Sequence, residues 1–178
     1  MAIYLTADLH FGHDKSFIWK ERGFNSVKEM NWVLLRNWNS VVTDEDDVYV
    51  LGDLMLGEEE NIEYVKRLKG KIHIVLGNHD SSKRKRQYEA LENVVEIAEV
   101  GIKLKYNKYS FLLTHYPMIT ANFEIESLKQ IKINLYGHTH QKDNPFYNDL
   151  FFAYNVGVDC HDNKPVLLDD VIEEIKKK

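Results

Sequence analysis

The chain has 178 residues, of which 44% are hydrophobic and 29% are charged, a composition typical of one soluble globular domain. Its one cysteine, Cys160, excludes an intramolecular disulfide and therefore a disulfide-stapled scaffold. The formal net charge of −5 disfavours nucleic acid as a partner, because bulk electrostatic binding to nucleic acid needs a basic surface. No apolar run reaches the ~20 residues of a membrane span, and Asp8 comes too early for a signal peptide, so we expect a cytoplasmic protein without membrane attachment.

The first half of the chain alternates between strand and helix patterns. Short apolar runs that end in Gly, Asp or Asn predict strands, and stripes of apolar residues at helical spacing predict the helices between them. The predicted elements are 2–7, 27–39, 47–51, 59–68 and 71–76. Ser26 would cap the helix at 27–39, with Glu29 as its capping-box partner. This alternation predicts βαβ units and a largely parallel sheet.

After residue 80 the pattern changes, and strands outnumber helices. The predicted strands are 94–106, 109–114, 132–136, 150–156 and 166–168. The predicted helices run from Ser81 or Ser82 to 91, from 124 to 130, and onward from Asp169 or Asp170. No stretch rich in Gly, Ser or Pro marks a linker, so we expect residues 1–178 to form a single α/β domain.

Polar residues follow five of the predicted strands at the point where each strand ends. They are Asp8 and His10, Gly52-Asp53, Gly77-Asn78-His79-Asp80, His115, and Gly137-His138-Thr139-His140. Ligand groups gather at the carboxyl ends of strands in open α/β sheets, so these residues are expected to converge. Imidazole, carboxylate and amide groups without a thiolate are the ligands of a transition-metal site.

In this order the motifs resemble the calcineurin-like metallophosphoesterase superfamily, over residues 8 to 140. The opening Asp8-Leu9-His10-Phe11-Gly12-His13 is similar to the short stand-alone members of bacteria, archaea and phages. The resemblance implies an α/β fold, a four-layer α-β-β-α sandwich of two mixed sheets flanked by helices. It also implies a centre that holds two divalent metal ions.

Carried over residue by residue, the resemblance assigns eight positions. The first metal would take Asp8, His10, Asp53 and His140, and the second would take Asp53, Asn78, His115 and His138. Asp53 would therefore bridge the two ions. His79 would be the general acid that faces the leaving group.

The implied reaction is hydrolysis of a phosphoester, leaning towards phosphodiesters and nucleotides. Two ions about 3.5–4 Å apart hold a hydroxide for in-line attack at phosphorus, and a histidine protonates the departing oxygen. The many nitrogen ligands favour transition-metal ions over magnesium alone. Manganese is the first choice, with iron, zinc, cobalt or nickel as alternatives. The competing functions are a phosphomonoesterase, a nuclease of the same fold, and a non-catalytic metal-binding scaffold for protein interactions.

One departure from the superfamily and a few further residues bear on substrate choice. Many protein phosphatases of the superfamily carry a second Asp, paired with the acid histidine, where this chain has Leu56. The difference weakens the interpretation as a protein phosphatase. Asp80 is then a candidate to orient His79. His13 and Arg22 are weaker candidates for substrate contact. Residues 83–86, Lys-Arg-Lys-Arg, either line the rim of the cleft or form a solvated face. The oligomeric state is not indicated.

Overall fold

The structure, a computed structural model, describes residues 1–120, 132–142 and 152–177. Its helices are α1 (Ser16–Trp19), α2 (Val27–Val41), α3 (Ile62–Lys66), α4 (Ser82–Glu89) and α5 (Leu168–Ile175). Its strands are β1 (Ile3–Thr6), β2 (Asp47–Leu51), β3 (Lys71–Val75), β4 (Val94–Ala98), β5 (Gly101–Tyr106), β6 (Tyr109–Thr114), β7 (Lys132–Tyr136), β8 (Ala153–Asn155) and β9 (Val166–Leu167). The helix predicted at 124–130 lies outside the described residues, as does the start of the strand predicted at 150–156.

The strands form two mixed sheets. The first has the order β4-β3-β2-β1-β9, with β1 to β4 parallel and β9 antiparallel to β1. The second has the order β5-β6-β7-β8, in which β5 and β6 form a hairpin and β6 to β8 are parallel. The predicted α/β fold of two mixed sheets with helices is confirmed.

The first sheet lies between two hydrophobic cores, and its side chains point alternately into one and the other. In β2, Val48 and Val50 pack with Trp38 of α2 and Tyr88 of α4, whereas Leu51 belongs to the other core. That second core joins the inner faces of both sheets to α5. Because side chains in a strand alternate between faces, a run of apolar residues is needed to bury both faces, which explains the short apolar strands of the sequence.

Several predicted boundaries were wrong, each for a local reason. The strand predicted at 94–106 is two strands, β4 and β5, which belong to different sheets. The chain crosses between the sheets at Val100, which is 75% exposed. The helix predicted at 59–68 is a 3-10 turn, Glu59–Asn61, followed by α3. The short helix α1 was not predicted, and none of its residues is buried.

The predicted cap of α2 is present with one change. The Ser26 Oγ accepts a hydrogen bond of 3.1 Å from the Glu29 N–H, as predicted. The Glu29 carboxylate, however, accepts from the backbone N–H of Asn25 at 2.7 Å rather than from that of Ser26.

None of the described helices combines the length and the apolar character needed to cross a bilayer.

We expect Ser26→Ala to lower the free energy of unfolding by about 1 kcal/mol, because an N–H at the start of α2 loses its partner. Urea denaturation measures the change. Ser40→Ala is the matched control, since among the described residues the Ser40 hydroxyl bonds only the Asn37 carbonyl of its own helix. A loss of equal size in both variants would contradict a capping role for Ser26.

Candidate metal centre

The ends of five strands meet at one edge of the molecule and bring the predicted ligand residues together. The segments after β1 and β2 run side by side, since the Asp8 and His10 N–H groups donate to the carbonyls of Gly52 and Asp53, both at 3.0 Å. The ends of β6 and β7 are joined by a 3.0 Å hydrogen bond from the Gly137 N–H to the His115 carbonyl. Residues far apart in sequence therefore share one site.

The ligand atoms fall into two groups. In the first, Asp8, His10 and His140 offer atoms that lie within 4.8 Å of one another, and the two histidine Nε2 atoms are 3.3 Å apart. In the second, Asp8, Asp53 and His115 meet the same criterion.

Asn78 and His138 extend the second group. The Asn78 Oδ1 atom lies 2.8 Å from His115 Nε2 and 3.0 Å from His138 Nδ1. Imidazole nitrogens and amide and carboxylate oxygens that converge in this way could hold a divalent cation.

The Asp53 carboxylate lies between the two groups. Its Oδ2 is 3.7 Å from His10 Nε2 and 3.6 Å from His115 Nε2. Its Oδ1 accepts a hydrogen bond of 2.9 Å from the His79 N–H. Asp53 is 1% exposed, so its Oδ2 faces the two histidine nitrogens rather than solvent.

Asp8 has a buried oxygen that fits a cation. Its Oδ2 accepts a 2.7 Å hydrogen bond from the His138 N–H, but its Oδ1 has no hydrogen-bond partner among the described residues. Burial raises the pKa of Asp8 to about 6, because the charged form loses its hydration. A buried carboxylate oxygen without a donor is costly, and a bound cation would satisfy it.

Burial has the opposite effect on the histidine that faces Asp8. Burial, together with the charge of Arg22, lowers the pKa of His10 to about 2. The His10 ring is therefore neutral at pH 7. A neutral imidazole has a free lone pair, which metal coordination requires.

Five of the seven predicted ligand residues have a left-handed backbone. The residues, with φ between 49° and 69°, are Asp8, His10, Asp53, His138 and His140. Only a few per cent of non-glycine residues adopt this conformation, and each instance costs roughly 1–3 kcal/mol. Each strand ends in a sharp turn at these residues, so the backbone around the ligands is strained.

The glycines before the ligands leave room for the neighbouring ligand. A Cβ on Gly52 would lie 2.2 Å from His115 Nδ1, and one on Gly77 would lie 2.2 Å from Asp53 Oδ1. At these distances something must move, because real Cβ atoms do not approach other atoms so closely. The Gly-Asp and Gly-Asn-His motifs thus have a steric cause as well as a chemical one.

Asp159 and Arg22 position His140, a role that was not predicted from the sequence. The Asp159 Oδ2 lies 2.8 Å from His140 Nδ1, and Arg22 donates to both Asp159 oxygens at 2.9 and 3.0 Å. Arg22 also donates to the carbonyls of Asp8 and Leu9, at 2.6 and 3.0 Å. The Arg22 side chain is 2% exposed and its donors are taken up by these contacts, which speaks against the substrate contact considered for Arg22 from the sequence.

A signal for Asp159 was present in the sequence. Asp159 follows β8 just as the predicted ligands follow the other strands, with Gly157 before it. Although burial opposes it, the His140 hydrogen bond and the Arg22 charge hold the pKa of Asp159 far below its usual range. A carboxylate that binds the Nδ1 of a histidine fixes the ring and leaves its Nε2 for a ligand.

His79 lies at the edge of the cluster with an exposed side chain. Its ring centroid is 5.5 Å from that of His10, and the Arg84 guanidinium donates to its backbone carbonyl. Asp80 does not contact the His79 ring. Its carboxylate instead accepts hydrogen bonds of 2.9 Å from the N–H groups of Asp53 and Gly77 and from the Tyr88 hydroxyl.

The basic run after His79 is largely paired. Lys83 contacts Glu59, and Lys85 lies 2.8 Å from Glu99. Neither amine is a free charge at the rim of a cleft, which favours the solvated face.

Cys160 donates weakly to the Asn155 carbonyl, and burial raises the pKa of its thiol to about 12, so it is not a reactive thiolate.

We expect Gly52→Ala to reduce metal binding and stability together, because a methyl group there displaces His115. Gly23→Ala is the matched control, since Gly23 also has a positive φ, +82° against +91°, but nothing within 4 Å. Backbone strain should lower the free energy of unfolding of both variants by about 1–2 kcal/mol, and only Gly52→Ala should lose bound metal. Metal analysis and thermal unfolding give the two readouts, and equal metal content in both variants would contradict the steric role.

We expect Asp159→Asn to weaken Mn²⁺ binding by about 10–100-fold at one of two sites, because His140 loses its negatively charged partner. Calorimetric titration of the metal-free protein measures this affinity directly. Asp162→Asn removes an exposed acid three residues away and should leave both affinities unchanged. Unaltered binding in Asp159→Asn would show that His140 needs no such partner.

The chain is similar to known proteins over most of its length. Residues 1–164 match the family model described as the calcineurin-like phosphoesterase superfamily domain. An uncharacterized protein of Methanocaldococcus jannaschii is 34% identical, over 98% of this chain and 92% of that protein. The gene 66 protein of Mycobacterium phage L5 is 25% identical, over 77% of this chain and 76% of that protein.

Among solved structures, a protein of unknown function from Aquifex aeolicus has the same fold. The two superimpose with a TM-score of 0.74 over 97% of this chain and 98% of that chain, at 23% identity. The fold, the ordered motifs and the family match agree. The chain belongs to the calcineurin-like phosphoesterase superfamily.

Proposed function

We propose that this protein is a metal-dependent phosphoesterase with two divalent ions, acting on phosphodiesters that include nucleotides. The observation that supports this most directly is the Asp53 carboxylate, whose Oδ2 lies at nearly equal distances, 3.7 and 3.6 Å, from His10 and His115 Nε2. A buried oxygen between two groups of ligand atoms is suited to bridge two cations.

Each ion would take ligands from both sheets. The first would be held by Asp8, His10, Asp53 and His140, and the second by Asp53, Asn78, His115 and His138. Mixed nitrogen and oxygen ligands without thiolate favour transition-metal ions over magnesium alone, and we propose manganese first, with iron, zinc, cobalt and nickel as alternatives. When bound, such ions supply a water of lowered pKa and positive charge opposite the phosphoryl oxygens.

The charge of the centre accounts for binding of an anion by an acidic protein. Two dications and the carboxylates of Asp8 and Asp53 leave a local charge of about +2, within a chain whose formal charge is −5. Local charges in a cleft with low-dielectric walls dominate the field there. The phosphate is therefore attracted to this site rather than to the surface at large.

His79 would protonate the leaving oxygen. Its backbone is held by hydrogen bonds on both sides, to Asp53 Oδ1 and from Arg84, while its ring stays exposed at the edge of the cluster. An imidazole can hold and release a proton near neutral pH. The exposure of the ring supports this role, because an exposed ring at the edge of the cluster can approach an oxygen of a bound ester without being a ligand itself.

Leu56 favours diesters over phosphoprotein substrates. It occupies the position where many protein phosphatases of the superfamily carry an acid, and its N–H donates to the Phe11 carbonyl at 2.7 Å. A leucine side chain cannot act as the partner of the acid histidine. The His79 ring is left without that carboxylate.

The test is turnover of the Mn²⁺-loaded protein with bis(p-nitrophenyl) phosphate, p-nitrophenyl phosphate, and diesters of simple alcohols. We expect the first to be hydrolysed faster than the second. His79→Ala should lower kcat by about 10²–10⁴-fold for alkyl diesters, whose alkoxides need a proton, and by less for p-nitrophenyl esters. A uniform loss across leaving groups would contradict the acid role.

His73→Ala is the matched control, since His73 lies between Asp47 and Glu96 on the first sheet, at 2.9 and 2.8 Å from their carboxylates. Its loss should leave kcat unchanged. Negligible turnover by both wild type and His79→Ala would favour a binding scaffold. Faster cutting of single-stranded or duplex DNA than of the small diesters would indicate a nuclease.

A further inference from the structure

A cavity of about 530 Å³ opens beside the histidine cluster. His10, His79 and His140 line it, and so do residues of α1 and the segment before it, including Lys15 and Phe17. Pockets that hold small molecules span about 300–1,000 Å³ and have mostly apolar and aromatic linings with a few polar groups. This cavity is therefore large enough for a ligand that also reaches the cluster.

Phe17 is an aromatic residue outside both hydrophobic cores of the described part of the chain. Its neighbours Ile18 and Trp19 pack against the first hydrophobic core, whereas Phe17 is 64% exposed. An edge-to-face contact with His13, with centroids 5.8 Å apart and planes at 84°, holds the ring in place. An exposed aromatic side chain on the wall of a cavity is typical of a ligand-binding groove.

Lys15 is the uncompensated cation of this wall. Of the other basic residues in the lining, Lys142 lies 3.1 Å from the Glu21 carboxylate and Arg22 is paired with Asp159. The Lys15 amine makes no ion pair with any residue in the described ranges. A free positive charge beside an exposed ring suits a ligand that carries both an aromatic system and a negative charge.

We propose that this cavity binds the leaving group of the substrate and that the leaving group is a nucleoside, with its base against Phe17 and Lys15 close to the diester. The proposal rests on the proposed function, because His79 lines the same cavity and would protonate the oxygen that the nucleoside carries away. Stacking on an aromatic ring accepts any of the bases, so the subsite selects nucleotides without selecting a sequence.

The test uses adenosine, which carries a base but no phosphate and therefore reports on the cavity without the metals. Ligand-observed NMR titration of the metal-free protein measures its affinity. We expect Phe17→Ala to weaken adenosine binding about tenfold and Phe17→Trp to retain it, since only the first removes the aromatic face. Ribose should show no binding that depends on residue 17.

Trp32→Ala is the matched control, since Trp32 is another exposed aromatic residue, 48% exposed, which stacks on Arg67 rather than lining the cavity. It should bind adenosine as the wild type does. Unchanged affinity in Phe17→Ala, or no adenosine binding at millimolar concentration, would overturn the proposal.

Turnover of bis(p-nitrophenyl) phosphate by the Mn²⁺-loaded wild type separates the two proposals. If turnover occurs and the affinity for adenosine is the same in the wild type and Phe17→Ala, only the nucleoside subsite fails. If adenosine binding depends on Phe17 and no ester is cleaved, the subsite stands as a nucleoside site and the proposed hydrolysis fails.

Discussion

Three hydrogen bonds to two other segments of the chain hold Asp53 in place, and the geometry of the whole site depends on them. Its N–H donates to the Asp80 carboxylate, its carbonyl accepts from His10, and its Oδ1 accepts from the His79 N–H, at 2.9 to 3.0 Å. Only one carboxylate oxygen is then free to face His10 and His115. Moving Asp53 would disturb the segments after β1 and β3 at the same time, because each is bonded to it directly.

The strained turns around Asp53 persist because buried polar groups surround them. The Arg22 guanidinium accepts no hydrogen bonds and offers several donors, which it uses on two backbone carbonyls and on Asp159. A buried ion pair adds little net stability by itself, since desolvation offsets much of its attraction. Here its value is positional, because one guanidinium joins the end of β1 to the partner of His140.

Features that depend on local sequence pattern could be predicted from the sequence. Apolar runs that end in Gly or Asp marked the strands of the first sheet, and residue type with order indicated the cluster of Asp8, Asp53 and His115. The break at Val100 was not predictable, because residues 94–106 are strand-forming throughout and only the packing of two sheets separates them. The position of Asp159 after β8 was a signal, but its role was missed because that role depends on contacts with Arg22 and His140 that only the fold creates.

The candidate ligands come from both sheets, with Asp8, Asp53 and Asn78 following strands of the first, and His115 and His138 following strands of the second. Apart from this edge, the two sheets are held to each other chiefly by apolar contacts of the second core. Ions bound here would be cross-links between the two halves of the sandwich, and the free energy of binding them would count as folding free energy. A chelator would then act on the entire sandwich as a mild denaturant does, loosening the packing of one sheet on the other.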